Sequence, residues 1–425
     1  MSIQDQVDRL IDERPGRELL NPDYDEKAVA LNDFIFRSAG TSASCMIVAG
    51  AERVIVNTGM GWEAPHHKRL FDAVHAGPTS YIITTQGHVD HVGGVSLFRE
   101  PGTRYVAQAN NPECQADDAR LPKFRAGTAL TWFPHLLERI QDFSKRYEGE
   151  SKGQDVPLPD LMFDERIALR SGELEIELLA MPGGETIDSL AVWLPQHRIV
   201  ILSNLFGPLF PHFPNFNTLR GDKYRFPVPY MQNVERVRAL QADMLITGRG
   251  MPIAGRELID ACLARLHGAV DHVHQSTLDG MNAGKDIYTI MREVELPPPL
   301  RVGQGYGKIE WAARTIWEEY TGWFQRKSSA DLYGTDPSIA SADLAAIAGV
   351  DRVLDQARTR LGQGDAPTAI RLAEAVLAAE SENRDAAALL AAAHQRLLDD
   401  GGDVSFWEHG WLAHEAAHWR VLSEK

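Results

Sequence analysis

Cysteine is scarce in this chain: its 425 residues hold three, Cys45, Cys114 and Cys262. An odd count without metal-type spacing argues against a disulfide framework and for a reducing compartment. Long apolar runs are missing, since no stretch of 18 apolar residues occurs. The N-terminus MSIQDQVDRLIDERPG has neither the basic start nor the apolar segment of a signal peptide. A soluble, cytoplasmic protein with no membrane partner is therefore expected. Runs of Lys and Arg are absent too. With 43 basic against 59 acidic residues the formal charge is -16, which repels nucleic acid and anionic lipid. The length exceeds what one compact core accommodates, so two or more domains are expected.

From about residue 33 to 260, short β-rich runs alternate with helical stretches. SCMIVAG and RVIVNTG read as strands around a turn, and the second ends at Asn57-Thr58-Gly59. HKRLFDAVHAG has helical spacing, and SYIITT, RYVAQA, IALRSG, LEIELLAMPGG, SLAVWLPQ, RIVILSN and DMLITGRG read as further strands. This is an α/β pattern, which places functional loops at strand ends. Residues 110–160 break the rhythm and form a long excursion, either a lid or pocket wall or a surface decoration. Beyond residue 260 the strand signals stop. Helical periodicity continues to the end, divided by Pro297-Pro298-Pro299, and residues 350–398 read as consecutive antiparallel helices resembling a stacked repeat.

The stretch YIITTQGHVDHVGG, residues 81–94, carries the chemistry. A strand runs into a loop with His88, Asp90 and His91, then Gly93-Gly94 and a helix. Two imidazoles and a carboxylate within four residues suit zinc, with further ligands from elsewhere in the fold and an open position for water. The plain alternative is a polar loop whose histidines cap the next helix.

TTQGHVDHVGG resembles the metal-binding signature of the metallo-β-lactamase superfamily, His-x-His-x-Asp-His followed by Gly-Gly, with Gln86 at the first histidine position. Asn57-Thr58-Gly59 is similar to the superfamily's Asp-Thr-Gly turn. The segments MPGGETIDSLAVWLPQ, NFNTLRGDKYR and YGKIEWAARTIWEEYTGWF, with the repeat-like helices, narrow the resemblance to the alkylsulfatases over residues 40–425. It implies an α/β fold: an αββα sandwich over residues 1–265 with the site at one edge, then an all-α dimerisation domain over 266–425, and a homodimer. The chain stops after the helical region, so the family's additional C-terminal sterol-carrier-like domain is expected to be missing.

By the same resemblance Glu185 falls on a ligand glutamate, Asn204 on a second glutamate that bridges two metals, and Arg249 on the last ligand histidine. Three of seven ligand positions are thus replaced, by Gln86, Asn204 and Arg249. An amide is a poorer ligand than imidazole or carboxylate, and a guanidinium offers no lone pair. The expectation is one zinc, or another divalent metal, on His88, Asp90, His91 and Glu185, with Gln86 assisting and Asn204 at the bridging position. Two metals are not expected. Asp90 and Arg249 are expected to serve catalysis, Arg249 in the electrostatic role of the second metal. Arg220 matches a family arginine that holds sulfate, and Asn215 a neighbouring asparagine. The implied substrate is a partly apolar small molecule with an anionic group. A structural salt bridge is the alternative for Arg220.

The function so implied is a metal-dependent hydrolase, with a sulfate ester as the family default. A non-sulfate ester, lactone or ether, cleaved by hydrolysis or elimination, is the first rival, and a degenerate binding or scaffold protein the second. HEAAH, His414 to His418, has the spacing of zinc peptidases but lies among Trp407, Trp411 and Trp419, as a packing face would. His66 and His67 are expected at an exposed helix start, with the pocket rim as the alternative. His272 and His274 point to different helix faces. Residues 204–216, rich in Phe and Pro, form either an apolar wall beside Arg220 or a packed core loop.

Overall fold

The computed structural model describes residues 2–425 apart from 15, 22 and 403. Thirteen strands form among these residues: β1 (Val29–Ala30), β2 (Ile35–Ser38), β3 (Ser44–Ala49), β4 (Glu52–Val56), β5 (Thr79–Ile83), β6 (Arg104–Gln108), β7 (Leu161–Phe163), β8 (Arg166–Ser171), β9 (Leu174–Ala180), β10 (Leu190–Leu194), β11 (Ile199–Ser203), β12 (Met244–Thr247) and β13 (Ile253–Ala254). They make a seven-stranded sheet in the order β1 to β7 and a six-stranded sheet in the order β13 to β8. Pairing is parallel from β4 to β7 and between β11 and β12, and antiparallel elsewhere.

Period-two alternation explains why two sheets stack with helices outside both. In β4, Val54 and Val56 point between the sheets and Ile55 points outward; in β11, Ile199 and Ile201 point inward and Val200 and Leu202 outward. Strands β10 and β11, LAVWL and IVILS, are almost wholly apolar because both of their faces are covered. The outer face of the first sheet carries helix Ala64–Val74, with Phe71 packed on Ile55 and Ile82. Helices Pro227–Arg238, Arg256–Asn282 and Ile309–Thr321 cover the second sheet through one core that includes Tyr230, Leu263, Val270 and Ile316. These four layers are the expected αββα sandwich.

Compactness divides the chain between Trp317 and Glu318, with Thr131–Phe133 joining the second unit. The expected domain boundary at 265/266 lies within helix Arg256–Asn282, which packs on the core of the second sheet. In the second unit, helices Val350–Gly362, Ala366–Ala379 and Arg384–Leu397 pack through Leu354, Ala373, Val376 and Leu390, with Asp365 and Asn383 as N-caps. Trp132 is held there by Trp407, whose carbonyl accepts the indole N–H at 3.1 Å. Among the described residues no helix is long and apolar enough to cross a membrane.

One side chain ties the two sheets at the edge where the loops gather. Asn57, 1% exposed, follows β4 with φ 62°, a conformation asparagine tolerates. Its Oδ1 accepts the Thr85 N–H at 2.9 Å, and its Nδ2 donates to Ser203 Oγ of β11 at 2.9 Å. Replacing Asn57 by Ala leaves the Thr85 N–H unpaired in a dry interior. The expected loss is about 1–3 kcal/mol, read as a lower urea-unfolding midpoint; an unchanged midpoint would contradict this account.

Candidate functional site

The loops after β4, β5, β11 and β12 converge at this edge. Residues Thr84, Thr85 and Gln86 are buried, His88 caps the one-turn helix Val89–Val92, and the His91 carbonyl accepts from Thr58 N–H at 2.9 Å and Thr58 Oγ at 3.0 Å. Gly94 is required by packing, because a Cβ there would lie 2.3 Å from Ala64 Cβ. Gln154 clamps the same turn from the excursion, accepting from Gly61 N–H and donating to the Val89 carbonyl, each at 2.9 Å.

His91 is fully buried, and its Nε2 meets Gln86 Nε2 at 2.7 Å and Asn204 Nδ2 at 3.1 Å. With both amide N–H groups turned toward it, that ring nitrogen is the acceptor, and Nδ1, which faces Thr85 Oγ1 at 3.4 Å, carries the proton. Burial first, then the positive fields of His88 and Arg249, outweigh Asp90 and push the imidazole pKa down to about 4. His91 is therefore neutral at ordinary pH. Asp90 Oδ2 lies 3.7 Å from His91 Nε2. Burial opposes ionisation of Asp90, but the fields of His91, His88 and Arg220 prevail and hold it below the usual range.

Arg249 is buried, and its guanidinium donates to the carbonyls of Gly40, at 2.7 Å, and Thr41. That turn is held in place by Glu63, which accepts the Thr41 N–H and hydroxyl at 2.6 Å each and the Tyr24 hydroxyl at 2.5 Å. Burial pushes the Arg249 pKa down, while Asp90 and Glu63 supply the opposing negative field.

The other half of the site is an ion-pair chain. Three basic groups meet Asp222 Oδ2: Arg220 Nη2 at 3.2 Å, His88 Nε2 at 3.3 Å and Arg225 Nη2 at 3.4 Å. Arg225 Nη2 also lies 3.1 Å from Glu185 Oε1, and its Nη1 donates to the Asn215 carbonyl at 2.9 Å. Burial would raise the Asp222 pKa, but His88, Arg225 and Arg220 drive it far below the usual carboxylate range. For His88 burial is again the largest influence, yet Asp222 overcomes it and raises the pKa above 6.5. Burial pushes Glu185 up against the pull of Arg225. A cavity of about 180 Å³ opens here, lined by His88, Glu185, Asp222 and Arg225 with Cys114 and Asp118 of the excursion, which is thus a pocket wall.

The fold brings every expected site residue to this edge, but not into one metal site. Among the described residues no three His, Cys, Asp or Glu side chains gather around a point that could hold an ion. Three of the four expected donors have other partners: His88 has Asp222, Glu185 has Arg225, and His91 Nε2 has two amides, while Asp90 lies 3.7 Å from that same nitrogen. Tetrahedral zinc ligands at 2.0–2.1 Å stand about 3.3 Å apart, wider than the 2.7 Å between Gln86 and His91. As arranged, the residues do not fit the zinc expected on His88, Asp90, His91 and Glu185. Arg220 carries an internal salt bridge, and Asn215 works through Arg225 by its backbone carbonyl.

Other expectations change as well. His66 and His67 are buried, not at an exposed helix start: their Nδ1 atoms meet Tyr147 Oη at 2.6 Å and Ser38 Oγ at 2.7 Å. Residues 204–216 form a packed core loop, with Phe206, Phe210, Phe213 and Phe216 all buried. In HEAAH the glutamate, Glu415, accepts from the Trp419 indole at 2.9 Å, and His414 and His418 stack 6.4 Å apart on an exposed face. His272 and His274 do face apart, the first half-buried and the second buried. Asp222, Arg225 and Glu63 were not singled out from the sequence. The run LRGDKYR held the signal for the first two, as alternating opposite charges in a loop.

Comparison with known proteins agrees with this architecture. The family model described as alkyl sulfatase dimerisation matches residues 287–409. The chain is 27% identical over 377 residues to a linear primary-alkylsulfatase of Pseudomonas sp. (strain ATCC 19151), covering 83% of this chain and 69% of that protein. It is 23% identical over 347 residues to an (R)-specific secondary-alkylsulfatase of Pseudomonas sp, covering 75% of this chain and about half, 51%, of that protein. The solved structure of the inverting sec-alkylsulfatase Pisa1 from Pseudomonas sp. superposes with a TM-score of 0.78 at 18% identity, covering 98% of this chain and 70% of that one. For a double mutant of PisA1 the TM-score is 0.79 at 20% identity, over 93% of this chain and 65% of that one.

The pKa shifts give the His88–Asp222 pair a defined pH window. Asp222 is depressed, so its contribution is complete above the ordinary 3.8 and lost only as pH falls further. His88 is raised, so its contribution is complete below 6.5 and lost as pH climbs through the raised value. The melting temperature is expected to decline above pH 6.5 in the wild type and less steeply in Asp222→Asn. Parallel profiles for the two proteins would refute the pair.

Proposed function

Since the chain is a metallo-β-lactamase-fold protein that resembles the alkylsulfatases, we propose that it is a sulfatase-like hydrolase acting on a small, partly apolar ester with an oxyanion. The observation that supports this is the cradle around Asp222 Oδ2, where Arg220, Arg225 and His88 converge at 3.2 to 3.4 Å. Such a set suits a sulfate oxygen as well as a carboxylate oxygen, through charge-assisted bonds. In this reading Asp222 is an internal oxyanion that the substrate displaces.

Arg220 and Arg225 hold the sulfate; as the water oxygen bonds to sulfur the ester S–O bond breaks, His88 protonates the departing alcohol oxygen, and the proton released by the attacking water returns to His88. Asp90, ionised and poorly basic, accepts from and orients the attacking water rather than abstracting its proton. Arg249 offsets charge on the buried side. Water and the sulfate monoester become an alcohol and hydrogensulfate, and no step is assigned to a metal. The dimerisation-family match over residues 287–409 supports a homodimer, and three free, buried cysteines agree with a cytoplasmic setting. A binding protein without turnover is the second reading, favoured by the internal ion pairs that join His88, Arg220, Arg225, Asp222 and Glu185.

Removing the internal competitor gives a directional test. Asp222→Ala is expected to tighten inorganic sulfate on the order of tenfold, the scale of one charge-assisted hydrogen bond. Arg220→Ala is expected to weaken it by a similar factor. Isothermal titration with sulfate measures both, and sulfate binding indifferent to both variants would overturn the cradle. A screen of alkyl sulfates and other esters separates the readings: binding without turnover of any ester supports the binding protein.

A further inference from the structure

The three replaced ligand positions are not independent. Gln86 lies in the loop after β5, Asn204 just after β11 and Arg249 just after β12; the first two meet His91, and Arg249 grips the Gly40–Thr41 turn, whose next residue, Ser42, puts its hydroxyl 3.2 Å from His91 Nε2. Gln86 and Asn204 address the same atom, His91 Nε2, at 2.7 and 3.1 Å. Neither orientation of the amides frees that nitrogen. With N–H inward they use its lone pair, and with carbonyl inward they would accept its proton. The absence of a side chain at Gly248 leaves room for this arrangement: a Cβ there would stand 2.2 Å from Asn204 Oδ1 and displace the amide.

Arg249 completes the set. Its guanidinium is fixed by the Gly40 and Thr41 carbonyls, and Thr41 is fixed by Glu63, so the charge cannot swing away. A guanidinium has no lone pair for coordination, and a fixed positive charge repels an arriving dication. Asp90 and Glu63 are the carboxylates whose fields it meets.

We infer that Gln86, Asn204 and Arg249 form one built-in substitute for a cation at His91 and Asp90. The two amides occupy the imidazole nitrogen, and the arginine supplies the positive charge, so this side of the site is assembled without a metal. The inference deepens the hydrolase reading by assigning the source of charge in that site, and its test does not read turnover, so either can fail alone.

Full-length protein is incubated with excess zinc and, separately, iron(II) or manganese(II), then desalted and assayed for bound metal. The wild type is expected to retain no metal that depends on His91. The variant Gln86→His/Asn204→Glu/Arg249→His is expected to gain an equivalent of zinc that a further His91→Ala removes. Stoichiometric metal in the wild type that is lost on His91→Ala overturns the inference, whether or not the triple variant folds. A folded triple variant, checked by circular dichroism, that gains no zinc also overturns it.

Discussion

The edge where the loops gather depends on the side chain of Asn57. Its carbonyl holds the backbone of the loop that carries Gln86, His88, Asp90 and His91, while its amide holds β11, which runs directly into Asn204. Without that bridge the two sheets could still stack through their apolar faces, since burial is not directional. Stacking alone would not fix the loop ends to the few tenths of an ångström that hydrogen bonds around His91 require. Asparagine meets the need because it accepts and donates at once and tolerates a positive φ.

Around that bridge the charges are arranged in two halves of different character. Toward the cavity, Asp222 and Glu185 interlock with Arg220, Arg225 and His88, partly open to water. Toward the interior, Arg249 is enclosed, and its guanidinium donates to the Gly40 and Thr41 carbonyls. Burying charge is expensive, and such networks contribute less to stability than their contacts suggest. Their value lies in fixing geometry: one carboxylate oxygen sits where three basic groups point.

The legible and illegible parts of the sequence divide along physical lines. The strands were legible because apolar residues covered on both faces leave near-continuous runs, as in LAVWL and IVILS. His88, Asp90, His91 and Glu185 were legible as types and positions. Their partners were not, since nothing local in GHVDHVGG says that His88 turns to Asp222, 134 residues away, or that His91 accepts from Asn204, 113 residues away. His66 and His67 misled because a helix start is exposed by default; here the excursion residue Tyr147 and the strand residue Ser38 cover it.

By itself, then, the sequence determined the α/β alternation, the αββα layering implied by its resemblance, the helical C-terminal region and the edge at which chemistry would be found. These follow from periodicity and from short motifs, which are local. Tertiary structure alone decided that Gln86 and Asn204 share one nitrogen, that Arg249 is pinned by a turn far away in sequence, and that Asp222 occupies the basic cradle. Those outcomes depend on which strand ends become neighbours and on which polar groups, once dried, must find each other.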